Sequence, residues 1–396
     1  MRIRSNRIYT ADGCKAGVLV VEDGKFVSFL ENETTCDVDY GSNRIIPGIF
    51  DTHNHGTRGY DPTGEGIDDP EEIKRHVRGY LKGLASQGTV NIFPTVMGTQ
   101  GVKEIYEVSL EENDGAKILG IHSEGPWLNR TGENGIKTGW PETDLNVAKK
   151  MVEDSNGTMK LVALATEIPG IDPIIEYFLD NGVTLAAAHS DNKFKDANKG
   201  YDKGLSVSTH TGNVMTGLHH RDIGGLGAAL TRDDVMCEVI CDGMHVCNDM
   251  LGLYFKIKDY SKFMMISDCT PLSGSKPGKY NAYGFELNVT DDGFVLTDTG
   301  RLMGSSQPVL FGIGNLVNNV GVPIEEVLKM ACLNPAIKYG YADTKGTIEA
   351  GKDADFCVIS DDYKALNTYS CGREVYNREK DGIVFNTPYN EKLAKH

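Results

Sequence analysis

Hydrophobic and polar positions follow two different rhythms along this chain. Residues 1–44 carry short alternating runs, at 1–9, 17–22 and 25–30, with Asp23-Gly24 between the last two. Asp-Gly between alternating runs is a hairpin signal, so this end reads as a small antiparallel sheet. From residue 45 the rhythm changes to short, nearly continuous apolar runs, each followed by a segment of helical periodicity. The first run, 45–50, reads as a buried strand that ends in a polar cluster, Asp51, His53 and His55, within IIPGIFDTHNHG. Further strands are predicted at 89–95, 117–122, 161–166, 183–188, 205–209, 237–241 and 263–267. Helices are predicted between them at 69–87, 101–112, 144–154, 172–181, 193–203 and 248–258. Beyond the last strand, 280–302 reads as a hairpin insertion around Asp291-Asp292-Gly293, followed by helices near 314–320 and 324–332. Strand-like runs then return at 346–349, at 356–359 and near Tyr369 and Val375.

Eight apolar strands alternating with helices predict an α/β fold, a (β/α)8 TIM-like barrel over residues 49–345. The two β-rich ends, 1–48 and 346–396, predict one small β-sandwich domain built from both ends of the chain. A doubly wound sheet would place a glycine-rich phosphate loop after the first strand, where His53 and His55 stand instead.

Barrel active sites lie at the C-terminal ends of the strands, and the polar residues of this chain recur there. His53 and His55 end strand one, Glu124 strand three, His189 strand five, His210 strand six and Asp268 strand eight. Side chains two apart on a strand face one way, so His53 and His55 point into a common space. Five ligand-type residues exceed the three protein ligands of one tetrahedral catalytic metal. They predict two divalent ions, one on His53, His55 and Glu124, the other on Glu124, His189 and His210, with Glu124 bridging. Imidazole and carboxylate suit zinc first, with iron or another divalent ion as alternatives. Asp268 is left as the proton carrier, and the chemistry is metal-assisted hydrolysis.

Composition narrows the partners. The chain has 396 residues, 40 basic and 56 acidic, a net charge of −16, and no basic run. Nucleic acid and anionic membranes are excluded as expected partners. Absence of a signal-like or membrane-length apolar segment predicts a cytoplasmic protein. Nine cysteines without a C-x-x-C pair suit reduced thiols, and Cys237, Cys241 and Cys247 read as small apolar residues and not as a metal site. His122 is expected to pack or support the site, Glu167 to support it, His76 to lie on the surface, and Trp127 and Trp140 to pack. His219 and His220 are expected to meet solvent or a partner subunit.

The motifs GIHSEGPWLN, AAHSD, THTGNVMTG, CDGMHV, ISDCT, RLMGSS and AGKDADF, together with PGIFDTHNHG, extend a resemblance along essentially the whole chain. The sequence resembles the amidohydrolase superfamily and, within it, the N-acetylglucosamine-6-phosphate deacetylase family. The resemblance implies metal ligands at Glu124, His189 and His210, the two-metal histidine pair at His53 and His55, and an acid/base at Asp268. It also implies that Asn213, Val214, Arg221 and His245 bind a small amino sugar phosphate, with Arg221 reaching the neighbouring site of a homodimer. The activity implied is deacetylation of N-acetylglucosamine 6-phosphate. The alternatives are the galactosamine isomer or another N-acyl substrate and, in a different class, a catalytically silent assembly protein. One segment departs from the family: TGENGIKTG, residues 131–139, lacks the histidine that family members use to polarise the acetamide carbonyl, which leaves Lys137 or the metal for that task.

Overall fold

The computed structural model describes residues 1–129, 141–282 and 284–394, so the 131–139 segment with Lys137, and also Trp140, lie outside the described residues. The barrel strands are Ile49–Asn54, Thr89–Val96, Ile121–Glu124, Met159–Leu164, Thr184–Ala187, Val207–Ser208, Met236–Ile240 and Phe263–Ile266. They are hydrogen-bonded in that order, with Lys117–Ile118 beside the second. Every pairing is parallel. The last and first strands are joined at their tips, where Asp268 N donates to His53 O at 2.9 Å and His55 N to Cys269 O at 2.8 Å. The result is a nearly closed barrel.

Burial on both faces explains why the strands read as continuous apolar runs. Phe50, Phe93, Leu161, Ala186, Val207 and Met264 form one buried cluster, with the Phe50 and Phe93 rings edge to face at 5.1 Å. Their chain neighbours Ile49, Ile92, Val162, Leu185 and Met265 join a larger cluster with the surrounding helices.

Several elements depart from the sequence reading. The run 45–50 is two strands in two sheets: Arg44–Pro47 pairs with Arg2–Thr10 and Phe356–Ile359, and the barrel begins at Ile49. Gly48 stands at the crossover, where a Cβ would lie 2.9 Å from Val90 Cβ and 3.1 Å from Asp355 Cβ, so the two sheets approach too closely for a side chain. The helix Gly224–Thr231 has no counterpart in the prediction, because it is buried on nearly every side and shows no polar face. The insertion is a three-stranded antiparallel meander, Gly278–Ala282, Phe285–Val289 and Val295–Thr297, and residues 346–349 form no strand. His76 is buried, not on the surface: it sits between the rings of Tyr60 and Tyr389, at 6.1 and 4.7 Å.

Both chain ends contribute to one eight-stranded sheet: Phe356–Ile359, Ala365–Ser370 and Arg373–Asn377 join it from the C-terminal side. The Asp23-Gly24 hairpin has both residues at positive φ, 49° and 77°, the geometry of a tight two-residue turn. Asp355, in the AGKDADF motif, ties this sheet to the barrel. It accepts from Asn91 Nδ2 at 3.1 Å and pairs with buried Lys345 at 2.6 Å.

Candidate functional site

The chain turns sharply where the barrel strands end. His189, His210 and Asp268 have φ of 44°, 28° and 50°, a left-handed backbone that non-glycine residues adopt at a cost. The turn swings each side chain from the strand edge over the barrel mouth.

There, six side chains meet. Glu124 Oε1 lies 3.0 Å from His189 Nε2 and 2.9 Å from His210 Nε2, while Oε2 lies 3.0 Å from His55 Nε2 and 3.8 Å from His53 Nε2. The imidazoles pair as well: His53 Nε2 to His55 Nε2 is 3.1 Å, and His189 Nε2 to His210 Nε2 is 3.2 Å. Asp268 Oδ1 stands 3.4 Å from His53 Nε2 and 3.6 Å from His55 Nε2. Burial disfavours charge on His53, yet Asp268 and Glu124 outweigh it and push its pKa well above the usual histidine value. Burial also opposes charge on Glu124, and His189 and His53 overcome it, holding that carboxyl well below the usual range. The cluster therefore calls for positive charge at its centre.

A metal fits this donor set. Two pairs of imidazole nitrogens converge on a carboxylate that presents one oxygen to each pair, and both triads, His53–His55–Glu124 and Glu124–His189–His210, bring their donor atoms within 4.8 Å. Each close Nε2–Nε2 contact can be closed by one N–H donating to the other nitrogen or by a cation that both lone pairs ligate.

The surroundings hold the cluster in place. Glu167 accepts from Asn129 Nδ2 at 2.8 Å, Ser190 Oγ at 2.9 Å and Asp191 N at 2.7 Å, which anchors the loop behind His189. His122 is fully buried, edge-on to the His53 ring at 4.5 Å, with Nδ1 3.3 Å from Thr95 Oγ1. Trp127 is buried and donates to Glu142 O at 3.2 Å, as expected of a packing residue. Cys237 and Cys241 are buried, Cys247 is exposed, and none belongs to a ligand cluster among the described residues. Sequence reasoning passed over Glu238. It is fully buried in barrel strand seven, accepts from Thr52 Oγ1 at 2.8 Å, and faces His53 Nδ1 at 3.6 Å. The available signal was a lone acid inside the apolar strand CEVI, which requires a buried polar partner.

The four residues expected to hold substrate lie in the loops after strands six and seven. Asn213 is buried and donates from Nδ2 to His210 O at 3.2 Å. Val214 has φ 49°, a strained value for a β-branched residue, and its carbonyl accepts from Ser190 N at 3.1 Å. His245 Nδ1 pairs with Asp242 Oδ2 at 2.7 Å; burial works to raise the Asp242 pKa, but the hydrogen bond from His245 keeps it below the usual value. Arg221 is exposed beside His219, whose Nδ1 accepts from Arg221 N at 3.3 Å, and the loop also exposes Leu218 and Ile223. The structure thus brings the five ligand-type residues and Asp268 into one cluster and leaves Arg221 outside it.

Comparison with known proteins gives the same picture. The chain is 28% identical over 365 residues to an N-acetylglucosamine-6-phosphate deacetylase from Vibrio furnissii, covering 91% of each chain. A Bacillus subtilis (strain 168) protein of the same name is 28% identical over 346 residues, covering 86% of each. An N-acetylgalactosamine-6-phosphate deacetylase from Escherichia coli O157:H7 is 27% identical over 368 residues, covering 90% of this chain and 94% of that one. Among solved structures, the N-acetylglucosamine-6-phosphate deacetylase of Pasteurella multocida superposes with a TM-score of 0.81 at 25% identity, covering 94% of this chain and 99% of that one. The Amidohydrolase family profile matches residues 44–384, a span that contains every strand of the barrel and all six residues at its mouth. A barrel of this topology, a histidine and glutamate cluster at its mouth, and a family match over most of its length lead to one conclusion: this chain belongs to the amidohydrolase family.

Proposed function

We propose that this chain is a metal-dependent deacetylase that converts N-acetylglucosamine 6-phosphate to glucosamine 6-phosphate and acetate. The observation that carries the reading is Glu124 shared between two histidine pairs with Asp268 beside them. In this reading residues 49–345 are the metal-dependent domain, and 1–48 with 346–396 form the small β domain. The two triads, His53–His55–Glu124 and Glu124–His189–His210, would hold two divalent ions per subunit, zinc first. Bound there, a divalent ion supplies Lewis-acid polarisation of the acetyl carbonyl and lowers the pKa of nearby water.

The chain's own residues do the rest. Asp268 takes a proton from the water that attacks the acetyl carbon, then gives it to the nitrogen as the C–N bond breaks. His245, oriented by Asp242, and Asn213 with Val214 hold the sugar. Arg221, exposed and flanked by Leu218 and Ile223, reads the 6-phosphate of the neighbouring subunit's site in a cytoplasmic homodimer. No helix among the described residues is long and apolar enough to cross a membrane.

The galactosamine isomer is the second reading, favoured by the Escherichia coli relative. Acetate release from both sugar phosphates, with elemental analysis of the same preparation, tests the proposal. Expected are a preference of about tenfold or more for the gluco substrate and a metal content near two equivalents that falls in His53→Ala. A preference for the galacto sugar would replace the substrate assigned here. Absence of acetate release from either sugar by fully metal-loaded protein would return the chain to a silent assembly role.

A further inference from the structure

A polar cavity lined by none of the six residues at the barrel mouth lies where the loop after barrel strand one, the 273–275 segment and the small β domain meet. Its volume is about 530 Å³, large enough for a small metabolite. Three cations line it, Arg58, Lys364 and Arg378, and no aspartate or glutamate does, in a chain with 56 acidic residues. The acids near Lys364 and Arg378 in the chain pair with other cations, Asp361 with Arg7 and Arg44, Glu374 with Lys380 and Asp381 with Lys82. Asp362 senses Lys364 and Arg378 but is exposed and bonded to Ser360.

Arg58 is the unusual member. Its backbone is left-handed at φ 54°, and its side chain is largely buried, with Nε lacking a hydrogen-bond partner. Burial pushes its pKa down, as expected for a charge taken from water without a counter-ion. Its guanidinium passes over Gly274, where a Cβ would stand only 2.6 Å from Nη1. Two backbone specialisations, Arg58 and Gly274 at φ 82°, therefore bring one unpaired guanidinium to this cavity. Ser275 Oγ already accepts from Asn390 Nδ2 at 2.7 Å, which leaves its own proton to donate.

The geometry points to a binding site in this cavity for a small phosphate-bearing anion, held by Arg58, Lys364, Arg378 and Ser275. Guanidinium forks and a hydroxyl donor match the tetrahedral oxygens of phosphate, and a bound anion supplies the counter-charge that Arg58 lacks. The site is separate from the metal cluster and does not depend on the activity proposed above.

Titration of metal-loaded protein with inorganic phosphate, followed by calorimetry and thermal unfolding, tests it. Arg221→Ala serves as the background, so that loss of the rim arginine does not obscure the second site. In that background phosphate should bind and raise Tm. Adding Lys364→Gln with Arg378→Gln should weaken binding by about tenfold or more and abolish the Tm rise. Arg58→Gln should do the same with an unchanged circular dichroism spectrum. Phosphate affinity equal in the background and in the Lys364/Arg378 variant, or no phosphate binding at all, would overturn the assignment. Lys364 and Arg378 lie on the cavity wall, so a folding defect in Arg58→Gln leaves the test decisive.

Discussion

At the barrel mouth two carboxylates face four imidazoles at 2.9 to 3.8 Å, and every charge has an opposite within reach. In the outer cavity three cations line 530 Å³ without one carboxylate. Both are polar spaces in an acidic chain, yet one concentrates donor atoms around a point and the other leaves charge unpaired over a volume. The first arrangement suits an ion a few ångströms across and chemistry at a fixed atom. The second suits an anion large enough to touch several side chains at once. Convergence, and not polarity, marks the reactive site. Among the described residues, only at the mouth do ligand atoms of three side chains approach one another closely enough for a cation to sit between them.

The largest effect that separates the two sites comes from Asp268. Asp268→Asn keeps the shape and removes the proton carrier, so turnover should fall by ~10²–10⁴-fold. Metal content should stay unchanged, and phosphate affinity at the outer cavity should not move. Steady-state acetate release with elemental analysis checks this, and a near-native kcat would assign the proton transfer to another group.

Both sites differ also in how far the sequence exposes them. The mouth is legible because a barrel repeats its geometry: each strand is an apolar run and each ligand follows at its end, so His189 after 183–188 and Asp268 after 263–267 mark themselves. Arg58, Lys364 and Arg378 belong to no motif and lie 306 to 320 positions apart from first to second and first to third. Only the return of the small sheet onto the barrel brings them together. Where the pattern misled, one physical cause recurs, since burial on all sides erases the contrast that periodicity needs. It hid the change of sheet at Gly48, the helix Gly224–Thr231 and the burial of His76. Glu238 is the inverse case, a polar residue whose meaning appears only when its partner on strand one is known.

A smaller effect sharpens the contrast through phosphate, since both sites are assigned an arginine. Arg221→Ala should lower kcat/KM for the 6-phosphorylated sugar by roughly 1.5–3 kcal/mol, the worth of a hydrogen bond to a charged group, and should barely affect the unphosphorylated sugar. Lys364→Gln with Arg378→Gln should leave that ratio alone. If the cavity pair carried the loss and Arg221 did not, the substrate phosphate would belong to the outer cavity. Mixing Arg221→Ala with Asp268→Asn subunits adds the geometry: a heterodimer with an arginine acting across the interface has one intact site, so activity should partly return. No recovery in verified heterodimers would place the arginine within its own chain.

The smallest expected effect concerns Glu238 and asks how finely the mouth is built. His53 offers Nε2 to the cluster, and its Nδ1 faces Glu238 Oε2 at 3.6 Å, the other Glu238 oxygen being held by Thr52 Oγ1 at 2.8 Å. With a proton on Nδ1, the carboxylate fixes the ring so that the Nε2 lone pair points at the first triad, the task that carboxylates behind ligand histidines commonly perform. Glu238→Gln keeps the size and lets the amide oxygen accept from Thr52, but turns an NH₂ towards His53 Nδ1 in place of an acceptor. Affinity for one of the two metal equivalents should fall by about 10–100-fold, measured by competition with a chelator, while the equivalent on Glu124, His189 and His210 should hold. Thr52→Val, which leaves the carboxylate free to turn, should give a weaker form of the same selective loss. Equal weakening of both equivalents would mean that Glu238 acts through the barrel as a whole. Unchanged affinity in a folded Glu238→Gln protein would mean that His53 is oriented by His122 and its own strand alone.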